Sequence, residues 1–165
     1  MDALDYFQIQ NLIHRYADLL DRGKVHEVGA LFDHADVYMP GEAEPWSRAG
    51  QNRMAEIFRQ WTRFYPDADG RPRTRHVTTN LIIEEDGANR ATAQSYVIVF
   101  QSVGEDFPIQ PIIGGTYNDK FEKVDGKWLI KDHIVHRWND MELPWVGPMR
   151  DGKTLKDKQD INMTP

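Results

Sequence analysis

The sequence predicts an α+β fold in which three N-terminal helices pack on a curved, mainly antiparallel sheet. Apolar residues recur at helical spacing within the first 65 residues, whereas most of the chain from residue 75 to 138 has the composition and alternation of strands. Two Asp-Gly pairs, at residues 86–87 and 125–126, separate strand-like segments and are typical of hairpin turns. Helices that precede a meander of strands favour a helical layer on one face of a single sheet.

The first helix is expected over the first 21 residues, where the periodic signal is strongest. Its apolar stripe consists of Ile9, Leu12, Ile13, Tyr16, Ala17 and Leu20. Asp2 is suited to cap the N-terminus, and Gly23 is suited to end the helix. This placement leaves Tyr16 on the buried stripe and Asp21 at the helix end.

Two further helices and a short strand are expected before the main sheet. The second helix is expected over residues 25–32, followed by a brief strand at residues 36–39, which a Pro-Gly pair ends. The third helix is expected over residues 51–65, whose apolar positions are again helically spaced.

Long strands are expected after a polar loop at residues 66–73. They are rich in β-branched and aromatic residues and span residues 75–85, 91–102, 112–124 and 127–138. From residue 139 the chain is rich in Pro, Gly and Lys and weakly patterned. We therefore expect one domain at residues 1–138 and a C-terminal tail or lid at residues 139–165.

Composition excludes several classes of function. The 165 residues include no cysteine, which excludes disulfides, thiolate metal sites and a cysteine nucleophile. The 20 Lys and Arg against 26 Asp and Glu give a net charge of −6 without a basic run, so neither nucleic acid nor a membrane surface is expected as a partner. No apolar run approaches the roughly 18 residues of a membrane span. A cytoplasmic globular protein is expected, since the acidic N-terminus does not resemble a signal peptide.

Tyr16 and Asp21 are the first candidates for chemistry. A tyrosine on the apolar stripe buries its ring and needs a partner for its hydroxyl, which is also typical of a core tyrosine. An acid at a helix C-terminus is mildly unfavourable in the helix dipole, which hints at another use. A solvated helix end, or a cap for the second helix, would account for Asp21 equally well.

His76 is the next candidate. The strand period of two places Thr78, Asn80 and Ile82 on the same face as His76. A face that combines His, Thr and Asn with apolar residues is suited to line a cavity with a polar end. A single histidine on a strand is more often structural, so these residues alone leave a structural and a catalytic role open.

No metal site is expected. His133 and His136 are three residues apart on a strand and therefore point to opposite faces. His34 and Asp36 share a face, but two ligands fall short of the usual three or four.

Several segments, taken in order, resemble the SnoaL-like branch of the nuclear transport factor 2-like superfamily. They are IHRYADLLD at residues 13–21, residues 31–32 with Asp36, residues 74–76 with Asn80, GGTYNDKF at residues 114–121 and DGKW at residues 125–128. The resemblance covers about residues 4 to 138. It implies a cone-shaped α+β barrel, the fold of scytalone dehydratase and ketosteroid isomerase.

The resemblance also implies catalytic residues. Asp21 and His76 match the Asp–His pair of scytalone dehydratase, bile-acid 7α-dehydratase and hexachlorocyclohexane dehydrochlorinase. Tyr16 and Arg137 match a catalytic tyrosine and a substrate-side arginine of the bile-acid enzyme. His133 lies near the position of a catalytic arginine of the dehydrochlorinase. The second histidine of scytalone dehydratase has no match here.

Such a pair implies β-elimination without a cofactor. A neutral His76 would remove a proton next to an activating carbonyl, while Asp21 would accept the other ring N–H and stabilise the imidazolium. Tyr16 would donate a hydrogen bond to the departing hydroxyl or to the enolate oxygen. The residues expected to bind or surround the substrate are Asn80, Arg137, His133, Tyr38, Tyr96, Tyr117 and Trp138.

Three hypotheses about function remain. The leading one is a dehydratase-like lyase for a small hydrophobic cyclic, polyketide-like or steroid-like molecule. The second is an isomerase or cyclase that moves a proton with the same base. The third is a non-catalytic subunit of a ring-hydroxylating oxygenase, or a ligand-binding domain, since this fold hosts many functions. In each case a homodimer or homotrimer through the open sheet face is expected.

Overall fold

The computed structural model confirms the α+β class, with helices packed on one five-stranded sheet. It describes residues 1–39, 41–103 and 108–138, so the predicted tail or lid at residues 139–165 lies outside the described residues. The α-helices are α1 (Ala3–Asp21), α2 (Val25–Leu31) and α3 (Met54–Trp61). The strands are β1 (Asp36–Tyr38), β2 (Thr74–Glu85), β3 (Arg90–Gln101), β4 (Gln110–Val124) and β5 (Lys127–Arg137).

The sheet is mainly antiparallel, as predicted, with the strand order β1-β5-β4-β3-β2. Strands β2 to β5 pair with their neighbours in antiparallel register, whereas the short β1 pairs in parallel with β5 at one edge. Asp125 and Gly126 have φ angles of 49° and 78° and form the predicted turn between β4 and β5.

Helix α1 begins where the sequence predicts, because Asp2 and Asp5 form a reciprocal capping box. The Asp5 carboxylate also accepts hydrogen bonds from Lys123 Nζ at 2.6 Å and from Trp128 Nε1 at 2.8 Å. These bonds lower the pKa of Asp5 to about 2. The N-terminus of α1 is thereby attached to the β4–β5 hairpin.

The core lies between the helices and the inner face of the sheet. The predicted stripe of α1 faces it, with Ile9, Ile13, Tyr16, Ala17 and Leu20 all buried. Helices α2 and α3 pack closely, since a Cβ atom added at Gly29 would lie 2.9 Å from Ala55 Cβ. In the described ranges, no helix combines the length and the hydrophobicity needed to cross a bilayer.

The third helix is shorter than predicted. It spans Met54–Trp61 instead of residues 51–65. Asn52 adopts a left-handed φ of 51°, which places it outside the helix, and Thr62 is already extended with a ψ of 125°. Apolar residues continue after the helix at Phe64 and Tyr65, but the backbone conformations at Asn52 and Thr62 limit the helix.

A bulge in β2 reverses the predicted alternation after Thr79. The register with β3 shifts between Thr79 and Ile82, and Asn80 adopts a left-handed φ of 52°. Asn80 and Ile82 are consequently exposed, while Leu81 packs against the core. The prediction that Asn80 and Ile82 share the face of His76 is therefore wrong.

Candidate active site

A cavity of about 190 Å³ lies between the helices and the inner face of the sheet. Its apolar walls include Leu20, Val37, Met54, Phe58, Val97, Val99 and Ile112. Its polar members include Tyr16, Arg63, Thr74, His76, Tyr117 and His133. A largely apolar cavity with a few polar side chains is the usual form of a small-molecule site.

Helix α1 and strand β2 bring Asp21 and His76 together at this cavity. Asp21 Oδ1 lies 2.6 Å from His76 Nδ1, and Asp21 Oδ2 accepts the backbone N–H of His76 at 2.7 Å. The Thr74 hydroxyl donates to Asp21 Oδ1 at 2.8 Å. The side chains of His76 and Asp21 are only 10% and 11% exposed. The buried carboxylate thus has donors for both of its oxygens.

These contacts determine which ring nitrogen of His76 is available. An ionised carboxylate only accepts hydrogen bonds, so Nδ1 carries a proton and Nε2 is left to exchange a proton with a molecule in the cavity. Burial raises the pKa of Asp21, but the hydrogen bonds from His76 and Thr74 and the attraction of His76 outweigh it and hold this pKa below its ordinary value. The carboxylate is therefore ionised at neutral pH.

Tyr16 and Tyr117 form a second polar contact in the cavity. Their rings lie 5.9 Å apart between centroids, and their hydroxyl groups are hydrogen-bonded. Burial raises the pKa of both phenols, so both keep their protons at neutral pH. The hydrogen bond between them lowers the pKa of Tyr16 and raises that of Tyr117. Both tyrosines line the cavity.

A second buried Asp–His pair, not predicted from the sequence, involves Asp119. Its Oδ1 lies 2.6 Å from Nδ1 of His133, and the two side chains are 6% and 5% exposed. The His133 ring packs among those of Tyr16, Phe32 and Tyr117, at centroid distances between 4.8 and 5.3 Å. Its Nε2 is buried without a partner among the described residues. The sequence signal that could have found Asp119 is the strand period of two, which places it on the same buried face of β4 as Tyr117.

Four of the predicted substrate-binding residues are not among the described cavity walls. Tyr38, Tyr96 and Trp138 do not line it, and neither does Asn80 in the bulge. Tyr96 and Trp138 contact each other edge to face at 5.2 Å. For Arg137 the structure describes only the backbone, at the end of β5.

Strand alternation explains where the aromatic residues lie. Tyr96 stands between the buried Ser95 and Val97, and therefore points to the outer face of the sheet. Tyr38 likewise follows the buried Val37 in β1. Of the predicted binding residues, the structure brings Tyr117 and His133 to the cavity.

Nothing in residues 1–39, 41–103 and 108–138 resembles a metal centre. No group of three His, Asp or Glu side chains converges there in an arrangement that could hold a metal ion. His34 instead contacts Glu122 through its ring Nε2.

The sequence from residue 1 to 133 matches the family model of the SnoaL-like domain. The chain belongs to the SnoaL-like family. This family is part of the nuclear transport factor 2-like superfamily, which includes polyketide cyclases and dehydratases. No curated protein is significantly similar to the chain in sequence.

Solved structures share the fold at low sequence identity. A variant of Rv3472, a Mycobacterium tuberculosis protein of unknown function, is 23% identical with a TM-score of 0.64, and the match covers 81% of this chain and 72% of that one. A proposed scytalone dehydratase from Novosphingobium aromaticivorans is 23% identical with a TM-score of 0.62, covering 81% and 84%. A Catenulispora acidiphila protein in complex with S-DNPA is 20% identical with a TM-score of 0.64, covering 84% and 97%.

The stability that the Asp21 contacts provide should depend on pH. Asp21→Asn should lower the free energy of unfolding by about 1–3 kcal/mol at neutral pH, because buried hydrogen bonds to a carboxylate are lost. The native pKa of Asp21 lies below its ordinary value of 3.8, so its stabilisation is complete above that value and is lost as the pH falls through the lowered pKa. In urea unfolding, the difference between wild type and variant should therefore shrink in acid.

Asp18→Asn is the matched control, since Asp18 lies on the same helix with a side chain that is 62% exposed. It should change the unfolding free energy by less than about 0.5 kcal/mol. A D21N deficit that stays constant from neutral pH into strong acid would contradict the inferred pKa shift.

Proposed function

We propose that this protein is a cofactor-independent lyase that catalyses a dehydratase-like β-elimination on a small hydrophobic cyclic molecule. The observation that carries the proposal is the hydrogen bond between Asp21 and His76 at the wall of an apolar cavity. Membership of a family that includes dehydratases supports it, as does the shared fold with a proposed scytalone dehydratase.

In the proposed reaction, His76 Nε2 removes a proton from the carbon next to a carbonyl group. The electron pair of the C–H bond forms the new C=C bond while the bond between the β-carbon and its hydroxyl oxygen breaks, and the hydroxyl group leaves as water with the proton that His76 took up. Asp21 holds the Nδ1–H of His76 and stabilises the imidazolium that forms. General-base catalysis of this kind contributes about 10²–10⁴-fold to the rate.

Tyr16 is the proposed hydrogen-bond donor to the oxygen that gains negative charge. Burial raises the pKa of its hydroxyl, which therefore keeps its proton at neutral pH. Tyr117 is hydrogen-bonded to Tyr16. The rings of Tyr16 and His76 are 6.4 Å apart between centroids, so one small molecule can contact both.

An isomerase or cyclase is the second candidate, because the same base could move a proton without loss of a hydroxyl group. The SnoaL-like family's place among polyketide cyclases supports this alternative. Product analysis distinguishes the two reactions, since only the elimination releases water. A non-catalytic subunit or ligand-binding domain would not require the hydrogen-bonded Asp21–His76 pair at its cavity.

We also propose that the chain forms a homodimer or homotrimer through the outer face of the sheet. Val77, Ile82 and Tyr96 lie on that face and are 44%, 57% and 39% exposed. Ile82→Glu should therefore shift the mass measured by light scattering toward that of a monomer. Leu4→Glu, at a 65% exposed position on α1, should leave the assembly unchanged. A monomeric wild-type protein would contradict the proposal.

Replacement of the base is the decisive test of the mechanism. His76→Ala should lower kcat/KM by about 10²–10⁴-fold, because the proposed general base is removed. Asp21→Asn should also lower it strongly, by removing the acceptor for Nδ1–H. The measurement is release of water from a panel of hydroxylated cyclic ketones, followed by mass spectrometry. His14→Ala, at an exposed position on α1, is the control.

Circular dichroism should show that H76A remains folded. A folded H76A variant that turns over substrate at the wild-type rate would overturn the assignment of His76 as the base.

The two tyrosines provide a graded test of the donor. Tyr16→Phe should lower kcat by about 10–100-fold, the effect of one hydrogen bond to a charged group. Tyr117→Phe should have a smaller effect, because Tyr16, whose ring lies 6.4 Å from that of His76, is the proposed donor to the substrate. Steady-state kinetics on the same substrate measures both variants. An equal loss in the two variants, or no loss in Y16F, would contradict the assignment of Tyr16 as the donor.

A further inference from the structure

Arg63 is a cationic side chain at the cavity that the proposed elimination does not use. It follows helix α3, is half-buried and lines the cavity. Its guanidinium lies over the ring of Tyr65, 5.2 Å from the centroid. No carboxylate within the described ranges forms a salt bridge with it.

Arg73 shows how a structural arginine behaves in the same surroundings. Its guanidinium also lies 5.2 Å from the centroid of the Tyr65 ring. Unlike Arg63, it donates to the Asp67 carboxylate at 2.7 Å and does not line the cavity. Arg63 has the same aromatic support but no acidic partner in the described part of the chain, so its donors remain available to a ligand.

The charges around the cavity favour an anion. No Asp or Glu among the described residues lines it. The nearby carboxylates of Asp21 and Asp119 are each hydrogen-bonded to a histidine of the cavity wall, His76 and His133 respectively. Arg63 is therefore the permanently charged side chain of the described lining. A guanidinium at a low-dielectric wall attracts anionic groups, and its planar donors match the two oxygens of a carboxylate.

The volume of the cavity limits the rest of the ligand. An apolar cavity of about 150 Å³ is large enough to bind benzene. The present cavity, at about 190 Å³, therefore suits one substituted ring.

We propose that Arg63 is a substrate-binding residue that recognises a carboxylate, and that the substrate is a compact single-ring acid. This inference rests on the proposed elimination and specifies the class of its substrate. Two N–H groups of the guanidinium hold the carboxylate oxygens, and the apolar walls surround the ring. The carbon that loses its proton is then placed within reach of His76.

Binding of non-reacting probes tests this assignment without any turnover. Benzoate and benzamide have nearly the same shape and differ in charge. In NMR titrations of the full chain, wild type should bind benzoate at least about tenfold more tightly than benzamide, as expected for a charge-assisted bidentate contact. Arg63→Gln should remove this preference. Arg15→Gln makes the same change in charge at an exposed position on α1 and should leave the preference intact.

Arg63→Lys keeps the charge but loses the planar fork, so it should keep part of the preference. It also covers the case in which R63Q does not fold. Equal binding of the two probes by wild type would overturn the proposal. So would an unchanged preference in a folded R63Q, no measurable binding of benzoate, or a preference in R63K as strong as that of wild type.

H76A separates the failure of this inference from the failure of the proposed function. The variant should bind benzoate as wild type does, because His76 is not assigned to the carboxylate. If H76A keeps wild-type turnover while R63Q loses the benzoate preference, the elimination mechanism is wrong and the carboxylate site stands. If H76A loses turnover while R63Q keeps the preference, the mechanism stands and the carboxylate site is wrong.

Discussion

The buried Asp21 carboxylate is the interaction on which the arrangement of the site depends. It joins the last residue of α1 to the start of β2, because it accepts hydrogen bonds from the Thr74 hydroxyl and from the backbone and ring N–H groups of His76. A buried carboxylate is costly unless donors satisfy it, and this one has donors for both oxygens. The hydrogen bonds that offset the cost of burying the Asp21 carboxylate also orient the imidazole of His76. The same contacts therefore stabilise the fold and fix the position of the ring.

The local sequence of β2 suits this role. Residues two apart on a strand share a face, so Thr74 and His76 both point toward Asp21 while Arg75 is exposed. One carboxylate oxygen accepts the backbone N–H of His76 and the other faces its ring. Asp21 thus binds both the main chain and the side chain of His76. A rotation of the ring or a shift of the strand would therefore break a hydrogen bond to a buried carboxylate.

Local patterns predict much of this fold, because capping, apolar periodicity and Asp-Gly turns act within a few residues. Helix α1, with its Asp2 cap and buried Tyr16, is an example. The bulge at Asn80 escapes periodicity, since its φ of 52° depends on pairing with β3. Tyr96 was expected at the cavity because aromatic character favours burial. The residue type of Tyr96 does not indicate which face of the sheet its side chain occupies. The face depends on the phase of the whole strand.

The two Asp–His pairs show that access, and not residue type, decides which imidazole is suited to be a base. Both pairs have the same 2.6 Å contact between Nδ1 and a carboxylate oxygen. The aromatic rings around His133 enclose its Nε2, which has no partner among the described residues. At His76 the burial is less complete, so a proton can be exchanged with a ligand. The pair at Asp119 instead places the His133 ring against the rings of Tyr16 and Tyr117, which line the same cavity.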